Sequence, residues 1–208
     1  IELGQENIDV FYKNYCNFNF QQLYVPDIYI FMEDICLKLI EWIDSCLINP
    51  NDYPPNDAIL IFLPGVSQIK KVRKFIEDKI DKEIWNRDFI PITLHSDVEE
   101  SEQRKVFEHY KKRKIIFATN IAESSITIDN ITYVIDFCLT KNVQYLYRCD
   151  REMLVLKWAC KASLNQRKGR AGRTKEGYVF HLIPKDFYNT LDENFSPEIQ
   201  RIKLDHIV

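Results

Sequence analysis

From Ala58 onward the chain alternates between short runs that are apolar throughout and longer stretches in which apolar residues recur every third or fourth position. The runs Ala58 to Leu63, Phe89 to Leu94, Lys114 to Thr119, Thr132 to Phe137 and Gly177 to Ile183 each have the length and character of a strand buried on both faces. Val66, Ile69, Val72, Ile76 and Ile80 form the buried stripe of a helix after the Pro64-Gly65 turn, and Glu99 to Tyr110 reads as a second helix. Further helices are expected from near Ser163 and over Pro184 to Leu191, the latter with proline in its first turn. Strands alternating with helices predict an α/β fold, a mostly parallel sheet flanked by helices. Residues 142 to 157 break the rhythm: two apolar runs surround Arg148-Cys149-Asp150-Arg151, which predicts a β-hairpin inserted into the fold.

Before Ala58 the pattern is different. Ile28, Met32, Ile35, Leu39, Trp42, Ile43 and Cys46 recur at three and four and predict an amphipathic helix, ended by Asn49-Pro50 and Pro54-Pro55. The first twenty-five residues have no period and read as an extended linker with room for one short strand. The expected organisation is a linker and packed helix over 1–56, the main domain over 57–195, and the start of a further connection over 196–208. The chain begins at Ile1 rather than methionine and stops abruptly at Val208, as expected of a piece of a longer protein.

Composition narrows the function by exclusion. A hydrophobic fraction of 46% with 28% charged residues is that of an ordinary globular chain. The net charge of -3 argues against binding nucleic acid by overall positive charge, so phosphate contacts must come from local patches. The six cysteines form no CxxC pair and have no histidine at zinc-ligand spacing, so no metal site is expected and the thiols read as small buried residues. No stretch of 18 apolar residues occurs, which argues against a transmembrane helix.

The richest local chemistry is Gln166-Arg167-Lys168-Gly169-Arg170-Ala171-Gly172-Arg173. Two glycines cost about 1 kcal/mol each in a helix interior, which suggests close approach of this backbone to a neighbour. If the helix continues, Gln166, Arg170 and Arg173 at i, i+4 and i+7 line one face as a polyphosphate-reading stripe. Between Lys161 and Lys175 there are six basic residues and no acidic one. A solvated basic helix is the plainer reading, and the glycines and glutamine weigh against it. A second stretch, Thr119 to Asp129 (TNIAESSITID), follows a buried strand and offers small hydroxyl and amide groups where ligands of parallel sheets sit. The same residues also make good helix N-caps, and both readings stand. Ile121, Ile126 and Ile128 within it read as core.

Four collinear blocks carry a family resemblance: Phe62-Leu63-Pro64-Gly65; Leu94-His95-Ser96 with Glu102-Gln103-Arg104 and Val106-Phe107; TNIAESSITID; and QRKGRAGR. In order and spacing they resemble motifs four, five and six of the DEAH-box RNA helicases. The resemblance implies a second RecA-like domain. Gln166, Arg170 and Arg173 would contact ATP phosphates, the arginines as catalytic fingers, and Asp129 would lie near the ribose. Gly65, Val66, Ser67, Thr119, Asn120 and Ser125 would contact the RNA backbone, and the hairpin would guide or part strands. The chain has no GxxxxGK[ST] and no Asp-Glu-Ala-His. The phosphate cradle and the Mg2+ carboxylate are therefore expected in a first RecA-like domain upstream, and this chain alone should not turn over ATP. Ser196 to Arg201 resembles the entry to the family's winged-helix domain. Residues 156 to 173 look most like the germline helicases that carry a tudor domain, Spindle-E and its vertebrate counterparts. That likeness implies piRNA-pathway partners, transposon silencing and cytoplasmic, perinuclear germ granules, with no membrane association. A motor-dead RNA-binding scaffold is the alternative function. Two positions depart from the family pattern: Cys138 stands where a glycine is usual, which puts the local turn in doubt, and Lys168 replaces a smaller residue.

Overall fold

The computed structural model describes residues 31–46, 57–124, 128–146, 151–173 and 176–197. In chain order the elements are α1 (Met32–Cys46), β1 (Ala58–Phe62), α2 (Val66–Lys79), α3 (Lys82–Asp88), β2 (Phe89–Leu94), α4 (Glu100–Arg104) and β3 (Arg113–Ala118). A 3-10 turn (Asn120–Glu123) follows, then β4 (Ile131–Asp136), β5 (Leu139–Leu146), β6 (Arg151–Trp158), α5 (Lys161–Lys168), β7 (Tyr178–His181) and α6 (Lys185–Thr190).

Five strands form one sheet in the order β2-β3-β1-β4-β7, every neighbouring pair parallel. β1, β3 and β4 are buried at every position because they lie in the middle of the sheet with a covered face on each side. Successive side chains along a strand point to opposite faces. Ile59, Ile61, Ile115, Phe117, Tyr133 and Ile135 accordingly join α1, α2 and Trp85 of α3 in one core. Leu60, Phe62, Ile92, Leu94, Ile116, Ala118 and Val134 face the other way, against Val106, Ala122 and Ile128. β5 and β6 pair antiparallel from Leu139 and Trp158 to Leu146 and Arg151, forming the separate hairpin.

Four readings of the pattern need correction. The first helix buries Cys36 and Ile40 besides Met32, Ile35, Leu39 and Ile43, whereas Trp42 is 41% exposed and packs edge-on against Phe180. The second helical stretch stops at Arg104. Beyond it the chain makes tight turns, with Val106 and Phe107 N–H donating to the carbonyls three residues back. The buried Lys114 ammonium captures the Val106 carbonyl at 2.7 Å, which holds that irregular path. A short helix, α3, had no counterpart in the pattern; Asp81 caps it by accepting from the Glu83 and Ile84 amides.

The fourth correction bears on the arginines. α5 runs only to Lys168, with Gly169 as its C-cap, so Gln166, Arg170 and Arg173 do not share a helical face. The chain leaves through three-residue turns, Arg170 N–H to Arg167 O at 3.0 Å and Ala171 N–H to Lys168 O at 3.2 Å. It then reverses at Gly172, whose φ of 77° explains that glycine by conformation. The close approach expected of this backbone is also present: the neighbour is Gly177, where a Cβ would lie 2.5 Å from the Gly172 nitrogen. The linker over 1–30, the proline pairs before Ala58, Ser125, Ile126, the hairpin centre 147–150 and the segment from residue 198 lie outside the described residues.

Candidate functional site

Parallel strands present all their carboxyl ends at one edge, and the registers put Phe62, Leu94, Ala118 and Asp136 at the same level there. Gly65, Val66 and Ser67 leave β1 at this edge, and Thr119 and Asn120 leave β3 beside them. Gly65 is the N-cap of α2; it offers no side-chain cap, and the first turn holds no acidic residue. Its extended backbone, φ -179°, suits any residue. A Cβ there would lie 3.0 Å from the Lys141 Nζ. Lys141, near the start of β5, donates to Gln68 Oε1 at 3.3 Å and brings a cation to the amino end of α2. Free amides at a helix start together with an ammonium suit an anionic backbone. Sequence reasoning missed Lys141, because only the fold brings β5 over the β1–α2 turn.

The TNIAESSITID stretch does not remain at that edge. It runs from Thr119 at the carboxyl end of β3 to Asp129 just before the amino end of β4. Six to seven strand residues separate those levels, about 20 Å at 3.3 Å per residue. Asp129 is exposed there and its charge acts on Lys114, at the amino end of β3. The arginine turn descends the same way: Gly172 N–H reaches the carbonyl of Ile131, the first residue of β4, at 3.4 Å. Asp129 and Gly172 thus lie toward the amino end of β4, the expected RNA contacts and the Arg167 guanidinium lie at the carboxyl end, and Arg170 is near enough to Glu123 to feel its charge.

Arg167 holds this arrangement in place, and the motif alone did not reveal it. With Ser163 and Leu164 it makes the buried side of α5, and it is only 1% exposed. Its Nη1 donates to Asp136 Oδ1 at 2.7 Å and to the Leu139 carbonyl at 3.2 Å. Its Nε donates to Glu123 Oε1 at 2.8 Å, and its plane lies 5.0 Å from the Phe62 ring centre. Burial by itself would lower the guanidinium pKa; Asp136 and then Glu123 outweigh it, so the net shift is upward. A helical wheel anchored on Leu164 would have turned Arg167 inward and demanded a carboxylate partner.

Its neighbours in the motif are more exposed. Gln166 and Arg173 are exposed, and Arg173 Nε donates to the Gly169 carbonyl at 3.3 Å. Arg170 is half-buried; burial first and the adjacent Arg173 second push its pKa down, with Glu123 opposing. Two guanidinium groups that repel each other at a partly desolvated turn gain when a polyanion lies between them, so this donor set fits a nucleotide triphosphate. Among the described residues no group of three His, Cys, Asp or Glu side chains is placed to hold a metal ion.

Cys138 sits between β4 and β5 with φ 58°, so the turn expected of a glycine is kept by a cysteine. Its N–H donates to Asp136 Oδ1 at 2.8 Å, adding a second donor to the oxygen that holds Arg167.

Comparison with known proteins agrees with this architecture. Residues 38–175 match the family described as the helicase conserved C-terminal domain. The mouse ATP-dependent RNA helicase TDRD9 is 41% identical over 150 residues, 71% of this chain and 10% of that protein. The probable ATP-dependent RNA helicase spindle-E of Drosophila persimilis is 38% identical over 154 residues, 73% of this chain and 11% of that protein. Among solved structures, the E. coli DExH-box NTPase HrpB superposes with a TM-score of 0.71 at 28% identity, covering 85% of this chain and 20% of that one. The chain thus spans about a tenth of the curated relatives it matches. With its five-stranded parallel sheet, its hairpin and its ordered motifs, the chain belongs to the helicase C-terminal domain family, on the DExH/DEAH RNA helicase branch.

Proposed function

We propose that this chain is the second RecA-like motor domain of an ATP-dependent RNA helicase. The observation that carries the reading is the division of labour in QRKGRAGR: Arg167 is locked inside on two carboxylates, while Gln166 and Arg173 are exposed and Arg170 is half-buried at the turn between them. In this reading Gln166, Arg170 and Arg173 hold the beta and gamma phosphates across the cleft to the first RecA-like domain, and Asp129 lies near the ribose. The arginines neutralise charge that develops on the transferring phosphoryl group, an effect worth roughly 10³ to 10⁵ in rate. Mg2+ would be held outside this chain and would supply further charge neutralisation when bound. Gly65, Val66, Ser67, Thr119, Asn120 and Ser125 grip RNA, helped by Lys141.

Residues 57–195 would form the domain proper, with 1–56 leading in and 196–208 leading to a winged-helix domain. The likeness to spindle-E and TDRD9 supports a role in germline piRNA-guided transposon silencing, in cytoplasmic perinuclear granules; co-purification of piRNA-pathway proteins from germ cells would test it. The function itself is tested by RNA-stimulated ATPase activity of the full-length protein beside an Arg170→Ala, Arg173→Ala double variant. Turnover that disappears in the variant supports a motor. A wild type that binds RNA but hydrolyses no ATP would replace the motor with a scaffold.

A further inference from the structure

The loop that would meet RNA and the turn that would meet nucleotide are separate segments of the chain, and one short bonded path joins them. Thr119 opens the 3-10 turn and its carbonyl accepts from Ala122 N–H at 3.2 Å, so Glu123 is a single turn away from the RNA-facing Thr119 and Asn120. Glu123 Oε1 accepts from Arg167 Nε at 2.8 Å and lies 2.7 Å from Nη2. The Arg167 carbonyl in turn accepts the Arg170 N–H at 3.0 Å.

Charge balance shows that Glu123 is more than a clamp. Asp136, fully buried on β4, already neutralises the Arg167 guanidinium through the 2.7 Å pair and is itself fixed by Cys138 N–H. Adding Glu123 gives the Arg167 guanidinium a second carboxylate, while His181 Nε2 stands 3.9 Å from Asp136 Oδ2, and the Glu123 charge also acts favourably on Arg170. Glu123 is also the more accessible of the two carboxylates, 14% exposed against 0% for Asp136, and stands on a turn rather than in the sheet. A shift of this turn changes both the second fork on Arg167 and the pull on Arg170, whereas Asp136 stays with the sheet.

We propose that Glu123 is a positioning residue that couples RNA seated on the Thr119–Asn120 loop to the placement of Arg170, acting through its bonds to Arg167. The proposal rests on the helicase reading above. A coupling of this kind is a difference between two states of the nucleotide site and is measured as such.

The test uses the full-length protein with Glu123→Gln, which keeps shape and removes the charge. Arg167→Lys is the companion variant: a lysine is a point donor that can satisfy Asp136 but lacks the planar fork that also reaches Glu123. Three quantities are read: ATPase without RNA, maximal ATPase with a single-stranded RNA, and RNA affinity without nucleotide. Glu123→Gln is expected to lose about ten-fold in RNA stimulation while the other two quantities stay within about three-fold; Arg167→Lys, which alters the anchor of the arginine turn itself, is expected to lose at least as much stimulation and some basal rate as well. Equal loss of basal and stimulated rates would reduce Glu123 to a structural role and overturn the proposal. So would unchanged stimulation, or a loss of RNA affinity as large as the loss of stimulation. Failure of the underlying reading has a separate signature: the Arg170→Ala, Arg173→Ala variant would then keep its RNA-stimulated turnover.

Discussion

Gly177 lies outside the arginine motif, just before β7, yet its substitution by alanine should disable the proposed nucleotide site. The new Cβ would stand 2.5 Å from the Gly172 nitrogen, 2.9 Å from the Ala171 Cβ and 3.0 Å from the Gly172 Cα. Ordinary contact begins near 3.4 Å, so backbone must move by about 1 Å, and no flexible side chain is there to absorb it. Gly177 is held by the pairing of β7 with β4 that begins at the next residue, whereas the Arg170–Arg173 turn is tied to β4 by the 3.4 Å Gly172 N–H bond, so the turn is the segment that yields. A misplacement of about 1 Å at groups that position a reacting centre costs on the order of 100-fold in rate. Overpacking itself costs roughly 1–3 kcal/mol, enough to lower the Tm by several degrees but not to unfold the chain. In the full-length protein the expected result for Gly177→Ala is RNA-stimulated kcat down about 100-fold with the protein still folded at assay temperature. A folded Gly177→Ala enzyme with kcat within about three-fold of wild type would refute the idea that the arginine turn, held in this geometry, serves the reaction.

Cys138 offers a test of backbone strain. At an ordinary buried site glycine is about 1 kcal/mol less stable than alanine, but at φ 58° glycine escapes a penalty of about the same size. Cys138→Gly should therefore be at least as stable as Cys138→Ala in denaturant unfolding; a deficit of a full 1 kcal/mol for glycine would contradict the turn described. Burial, and secondarily Glu33, pushes the Cys36 thiol pKa well up. The unfolded thiol ionises near 8.5 while the native one keeps its proton, so this group stabilises the fold at neutral pH and the benefit is lost progressively above about 8.5. Cys36→Ala should make the alkaline fall in stability shallower by about 1.4 kcal/mol per pH unit, and an unchanged slope would show that the thiol is not buried as described.

The sequence disclosed the sheet well and the site in part, for physical reasons that differ. The three central strands are buried on both faces and need continuous apolar runs, and the two edge strands, though only partly buried, carry them too, so Phe89–Leu94 was delimited to the residue and the other four segments to within one or two residues. α3 escaped because only Trp85 of its seven residues is buried, too little to mark a period. The stretch after α4 looked helical because Val106 and Tyr110 are spaced by four. What interrupts it is Lys114, a residue from the next strand, and Phe107 is left 54% exposed. The arginines were visible as chemistry but not as geometry, since a wheel drawn through Gly169 and Gly172 assumes a helix that ends at Lys168. The Arg167 cluster joins residues 31 and 44 positions apart, Asp136 and Glu123, and the Lys141–Gln68 contact spans 73; such pairings follow from strand order, which local periodicity does not encode.

The most direct test of the account is a reciprocal comparison in the full-length protein between Arg170→Ala, Arg173→Ala and Thr119→Ala, Asn120→Ala, with ATP turnover and nucleotide-free RNA affinity measured for both. The account predicts a split: the arginine pair loses turnover by at least about 10³ and keeps RNA affinity, whereas the loop pair weakens RNA binding and keeps RNA-independent turnover. Arginine variants that hydrolyse ATP normally, or that lose RNA and nucleotide function together, would contradict it.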